Sequence, residues 1–383
     1  MVPCPVRFTP FPMGTLGMVL VSITLVSVSL AGCLRPPVKT NVVAAASAPG
    51  AVAAPESAAP PKAVRTPPGF PPTVEWTTGA PVIVPKPDAK HALVAVKDPT
   101  IVRFKDRWHV YASSVSKGGI YGMVYTSFAE WKDAAQAPFY FMDNTPGFDT
   151  YVAAPQLFYF APEEIWYLVF QSGPPMFSRN KDPGDPTQWT EPQPFYPRPP
   201  AFIEQTGGWL DFWVICDTAY CHMFFSNDHG RFYKSKTPID RFPRGFDTPV
   251  VVMEEKEAGR LFEACNVYKV AGGNRYLALV EAFDASSNHR RYFRSFTAES
   301  LEGPWTVWHD DGSAPFAGIR NVRFEGAKWT EDVSHGELIR AGYDQTLTID
   351  PGAWRFLFQA FDPKKNSSDY NSIPWNLGLL TLE

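Results

Sequence analysis

The chain is 383 residues long, carries a formal net charge of −4, and is 45% hydrophobic and 15% aromatic. Neither sign of charge forms a long run, which excludes the basic footprint of a nucleic-acid binder and the polybasic patch of a membrane-surface protein, and points to a neutral or weakly charged partner. With 29 Phe, 15 Tyr and 12 Trp, the composition favours strands over helices and supplies ample material for a core.

At the N-terminus an apolar run, GTLGMVLVSITLVSVSLAGC, follows a short segment carrying Arg7. That is the layout of an export signal rather than of a permanent membrane span. The run closes on Leu30-Ala31-Gly32-Cys33, which resembles a bacterial lipobox, so residues 1–33 are expected to be a lipoprotein signal peptide ending at Cys33. Acyl chains on Cys33 would tether the protein to a membrane at the periplasm or cell surface, and without them the product would be secreted. Residues 34–72 are rich in Ala and Pro and too poor in large apolar side chains to form a core, which predicts an extended spacer. Cys216 and Cys221 flank the turn of VICDTAYCHMFF. They could pair in an exported protein, or remain as buried free thiols; no zinc-ligand spacing occurs.

From residue 73 to 383 one unit recurs five times. Each copy has a polar residue or Pro, an apolar strand, a turn, then an aromatic-rich strand that ends on a small or polar residue. The copies are DPTIVRFKDRWHVYAS from Asp98, PQLFYFAPEEIWYLVFQS from Pro155, DFWVICDTAYCHMFFS from Asp211, EACNVYKVAGGNRYLALVEA from Glu263, and HGELIRAGYDQTLTIDPGAWRFLFQA from His335. Their heads lie about 50–70 residues apart, a spacing that suits one four-stranded sheet per unit. A further strand and a Trp- or Phe-ended turn follow each of the first four hairpins, as in RRYFRSFTAESLEGPW. Regular short strands without a helix-period segment predict an all-β fold, and radial repetition makes it a five-bladed β-propeller, with a β-sandwich as the structural alternative. In a propeller the head of each first strand looks into the central funnel. Asp98, Asp211, Glu263 and His335 then converge, with Pro155 at the remaining blade.

Three carboxylates in one cavity repel unless their pKa values are split, which a mere scaffold does not need. Glycoside hydrolysis does need it: one carboxyl protonates the leaving oxygen while another activates water or attacks the sugar. No Ser-His-Asp or Cys-His arrangement suggests acyl transfer instead.

The stretches KDPTIV, AAPQLFYFAPEEIWYLVFQSGP, LDFWVICD, LFEACNVYKV, RYFRSFTAESLEGPW, DVSHGELIR and DYNSIPWNLGLLTL, in this order, resemble glycoside hydrolase family 62, the α-L-arabinofuranosidases that share a clan with family 43. The resemblance implies an inverting, exo-acting enzyme that removes arabinofuranose from arabinoxylan or arabinan. Carried over position by position, it makes Asp98 the general base, Glu263 the general acid, and Asp211 the residue that tunes the acid and orients the sugar. An inverting pair is expected about 6.5–9.5 Å apart, leaving room for water. Lys97, Tyr370 and Asn371 match positions that line the arabinose pocket. His335 matches a histidine that in related propellers holds a hydrated calcium ion, which would take most of its ligands as oxygens. No organic cofactor is expected, and the protein is expected to be a monomer. The chain departs from the family pattern just after the acid, at Ala264-Cys265-Asn266. A family 43-type β-xylosidase or arabinanase is the nearest enzymatic alternative, and a non-catalytic glycan-binding surface propeller is the alternative of another class.

Overall fold

The computed structural model describes residues 66–383 apart from 68, 72, 202, 204–207 and 285–289. The signal peptide expected over residues 1–33, and most of the spacer expected over 34–72, lie outside the described residues. The described chain forms five sheets of mainly antiparallel strands, of the repeating kind that the sequence predicts, a five-bladed β-propeller. The innermost strands, in chain order, are Leu93–Phe104, Ala153–Phe160, Leu210–Cys216, Glu263–Val270 and Ser334–Leu338.

Both faces of each blade pack against neighbours, so the central strands read as continuous apolar runs rather than alternating ones. Ile165–Gln171, IWYLVFQ, buries every residue between its two ends. The outermost strands are short and more exposed, as in Val250–Glu254. Trp108, Trp166, Trp213 and Trp354 are all buried in the core.

The last blade closes the ring by using both ends of the domain. Ser334–Leu338, Arg355–Ala360 and Asn376–Leu382 come from the C-terminal end, and Trp76–Thr78 adds beside the last of them, with Trp76 opposite Leu382. Trp76 is fully buried, and its indole N–H donates to Phe316 O at 2.7 Å. The fifth repeat is not a tight hairpin. Its connecting segment carries Thr348–Ile349, which pairs in parallel with Glu263–Val270 and so stitches the fifth unit to the fourth sheet.

Ordered packing begins before residue 73. Phe70, within the expected spacer, is buried with its ring 4.6 Å from Trp308 and 5.9 Å from Trp354. Burying a side chain of this kind is worth about 1.5–3 kcal/mol, which is reason enough for the end of a Pro-rich segment to settle on the domain. Cys216 and Cys221 face each other in register and form a disulfide, with Cα atoms 4.0 Å apart; Cys265 is a buried free thiol.

Candidate active site

Every innermost strand breaks register at the same level. The breaks fall between Lys97 and Thr100, Ala153 and Gln156, Leu210 and Trp213, Glu263 and Asn266, and Ser334 and Gly336. A bulge sets two residues against one and re-aims a side chain out of the sheet. In four blades the bulge residue is left-handed without being glycine: Asp98 (φ 48), Ala154 (φ 49), Asp211 (φ 57) and Ala264 (φ 54). Such conformations cost about 1–3 kcal/mol each and gather at functional sites.

The bulges correct the alignment of the repeats. Asp98 lies inside its strand, not at the strand's start. Its counterpart in the second blade is Ala154, not Pro155, and in the fourth blade it is Ala264, not Glu263. Glu263 stands one residue earlier, where the first blade has Lys97. The apolar pattern could not reveal this, because an inserted residue changes the register without changing the run of apolar side chains.

A second regularity holds the bulges in place. The end of each blade's second strand offers a polar acceptor to the bulge N–H of the next blade. Ser113 Oγ accepts from Ala154 N at 2.7 Å, Gln171 Oε1 from Asp211 N at 3.0 Å, Glu281 Oε2 from His335 N at 2.7 Å, and Gln359 Oε1 from Asp98 N at 2.7 Å. The fourth blade departs from the rule. Ala264 N donates instead to Asp211 Oδ2 at 2.9 Å, so a carboxylate inside the cavity fixes the backbone beside Glu263.

These side chains surround a cavity of about 330 Å³. Lys97, Asp98, Asp211, Glu263, His335 and Tyr370 all line it. Asn371 does not; its side chain rests against Gly119, and its N–H is held by Asp369. Asp217, the second aspartate of LDFWVICD, lies just past the far end of the strand, where its Oδ1 accepts from Ala219 and Tyr220.

His335 Nδ1 stands between the two aspartates, 3.4 Å from Asp98 Oδ1 and 3.6 Å from Asp211 Oδ2. Lys97 Nζ lies 3.7 Å from Asp98 Oδ1 and donates to the Tyr370 hydroxyl at 2.9 Å. Burial raises the Asp211 carboxyl well above the usual range, and the Glu263 and Asp98 charges add to it. Burial works against the Lys97 charge, but Asp98, Tyr370, Tyr121 and Glu263 together more than restore it and hold the ammonium well above its usual range. Burial also pushes Tyr370 up to about 12.

Behind Glu263 lies a group that the sequence reading missed. Arg291 donates to Glu263 Oε1 and, at 2.5 Å, to Oε1 of the fully buried Glu281. Burial raises the Glu281 carboxyl to about 7; the Arg291 charge pulls it down and the Glu263 charge pushes it up. Ser334 Oγ donates to Glu281 and accepts from Gln359 Nε2, both at 3.0 Å, so one chain of contacts joins Asp98 to Glu263. The polar residues that end the aromatic strands were the available signal for Gln171, Glu281 and Gln359. Arg291 had none beyond its place at the start of the next strand.

Calcium fits these residues poorly as a protein-built site. Among the described residues no three His, Cys, Asp or Glu side chains gather around a metal position. His335 offers one nitrogen to a cation that prefers oxygen, and turns its other nitrogen to two carboxylates.

Carboxyls from separate blades around a cavity of sugar-ring size define the site of a glycoside hydrolase. The profile described as "Glycosyl hydrolase family 62" matches residues 75–381. Alpha-L-arabinofuranosidase C of Cellvibrio japonicus is 41% identical over 312 residues, which is 81% of this chain and 47% of the relative, so the chain spans about half of that protein. Two solved structures are similar over nearly their whole length. The catalytic domain of a Coprinopsis cinerea GH62 α-L-arabinofuranosidase is 48% identical with a TM-score of 0.78, covering 81% of this chain and 97% of that one. The α-L-arabinofuranosidase of Podospora anserina in complex with cellotriose is 42% identical with a TM-score of 0.78, covering 82% and 98%. The chain belongs to glycosyl hydrolase family 62.

Proposed function

We propose that the protein is an inverting, exo-acting α-L-arabinofuranosidase that removes arabinofuranose side groups from arabinoxylan, with arabinan as a further substrate. The observation that carries this reading is the single cavity in which Asp98, Asp211 and Glu263 meet beside two cations, Lys97 and Arg291. The activity is supported by the relatives named above, and the substrate by a further similar structure, 41% identical with a TM-score of 0.77, of a GH62 hydrolase in complex with xylotriose.

In this reading Asp98 takes a proton from the attacking water, and His335 and Lys97 hold its carboxylate in position. Glu263 protonates the departing oxygen. One guanidinium lies between Glu263 and the buried Glu281 and balances only one carboxylate. Asp211 tunes Glu263 through the Ala264 amide, from whose N–H it accepts. Lys97 and Tyr370 border the arabinose, while Asn371 supports the turn that carries Tyr370.

No organic cofactor takes part. Calcium remains the reading of a hydrated ion beside His335, and no step runs through it. The protein acts as a monomer, exported by its signal peptide and tethered at the periplasm or cell surface by a lipid on Cys33, or else secreted. The test is digestion of wheat arabinoxylan with chromatography of the products. Free arabinose with an unshortened backbone is expected; released xylose or xylo-oligosaccharides would favour the family 43-type activities, and no release would favour glycan binding.

A further inference from the structure

We infer that Asp228 binds the departing sugar, its carboxylate accepting a hydrogen bond from a hydroxyl of the leaving residue. The inference rests on the assignment of Glu263 as the acid. Asp228 lines the same cavity as Glu263, Arg291 and Phe262. Its Oδ1 is buried and has no hydrogen-bond partner among the described residues. Buried carboxylate oxygens are almost always paired, so a carboxylate that borders a cavity and leaves one oxygen unpaired marks a place for a ligand donor.

The position is built rather than accidental. Asp228 sits in the turn between Tyr220–Ser226 and Arg231–Pro238, in the left-handed region at φ 61. Asn227 Oδ1 accepts from the N–H groups of His229 at 3.1 Å and Arg231 at 3.3 Å, closing the turn from within. From outside, Glu255 N donates to Gly230 O at 2.9 Å, and a Cβ on Gly230 would lie only 2.7 Å from Glu255 O. A turn fixed on both sides cannot swing to find its own partner for the carboxylate.

The neighbouring charges locate the residue within the site. Burial, with the Glu263 charge adding to it, pushes the Asp228 carboxyl up to about 6, while His229 and Arg291 pull it down. These neighbours belong to the acid side of the cavity. The oxygen that Glu263 protonates stays with the leaving sugar, so a group beside Glu263 meets that sugar. A sugar hydroxyl can donate to Asp228, whereas an aryl leaving group without hydroxyls cannot.

The experiment compares two substrates with the full-chain protein: an arabinofuranosylated xylo-oligosaccharide and 4-nitrophenyl α-L-arabinofuranoside. Asp228→Gly removes the carboxylate and suits the left-handed backbone, and Asp228→Asn keeps an acceptor oxygen there. Asp228→Gly is expected to lose about 10- to 100-fold more kcat/KM on the oligosaccharide than on the aryl substrate, and Asp228→Asn to recover most of that difference. Equal losses on both substrates, or none on either, would overturn the inference alone. Wild-type protein that cleaves the aryl substrate but not the oligosaccharide would overturn the arabinoxylan reading, and this inference with it.

Discussion

Asp98→Asn is expected to lower kcat on arabinoxylan by about 10²–10⁴-fold, with KM little changed. The amide keeps the shape of the carboxylate and can still accept from its neighbours, but it cannot take a proton from water. Asparagine also tolerates the left-handed backbone at this position, so the bulge should survive and the melting temperature should hold. Azide separates a lost base from a damaged site because it attacks without deprotonation. It should restore part of the rate to the variant and give the β-configured glycosyl azide. A variant that kept more than about a tenth of its rate, against the range expected for a general base, would remove Asp98 from that role.

Glu263→Gln is expected to produce a loss that depends on the leaving group. A xylose alcohol leaves poorly without a proton, so on arabinoxylan the fall in kcat should reach about 10³-fold, whereas a 2,4-dinitrophenyl arabinofuranoside, whose phenolate leaves unaided, should lose only about 10-fold or less. Arg291 and Glu281 sharpen the contrast. The glutamine would keep an oxygen for Arg291, so the guanidinium that joins residues 263 and 281 would remain in place. Equal losses on the two substrates would mean that residue 263 positions the sugar instead of protonating the oxygen.

The five-bladed fold was legible because its signal is redundant. Five apolar hairpins and their following strands each announce the same sheet, and an error in one copy leaves the others standing. Ring closure through Trp76 and the parallel pairing of Thr348–Ile349 were not legible. Both join segments that are distant in sequence, and neither segment has a periodicity of its own. In the cavity, acidic residues near strand heads gave Asp98, Asp211 and Glu263, but the bulges hid that Glu263 is offset by one residue from the aspartates. Asn371 followed Tyr370 in the motif, yet Tyr370 lines the cavity while the Asn371 side chain lies beside Gly119. Asp228 could not be found from sequence, since SNDHG reads as an ordinary turn until its buried, unpaired oxygen is seen. Glu281 and Gln359 left a faint signal, the polar residue closing each aromatic strand, whose meaning emerged only when each was found holding the bulge of the next blade.

The central claim is that Asp98 and Glu263 act on opposite faces of one arabinofuranose ring in a single displacement. Proton NMR of wheat arabinoxylan during the first minutes of digestion tests it most directly, by recording the anomer of the sugar before it mutarotates. The account predicts β-arabinofuranose first, with the α anomer growing in later. Initial release of α-arabinofuranose would contradict it, because retention requires a covalent intermediate and a carboxylate acting as nucleophile where this account has a base.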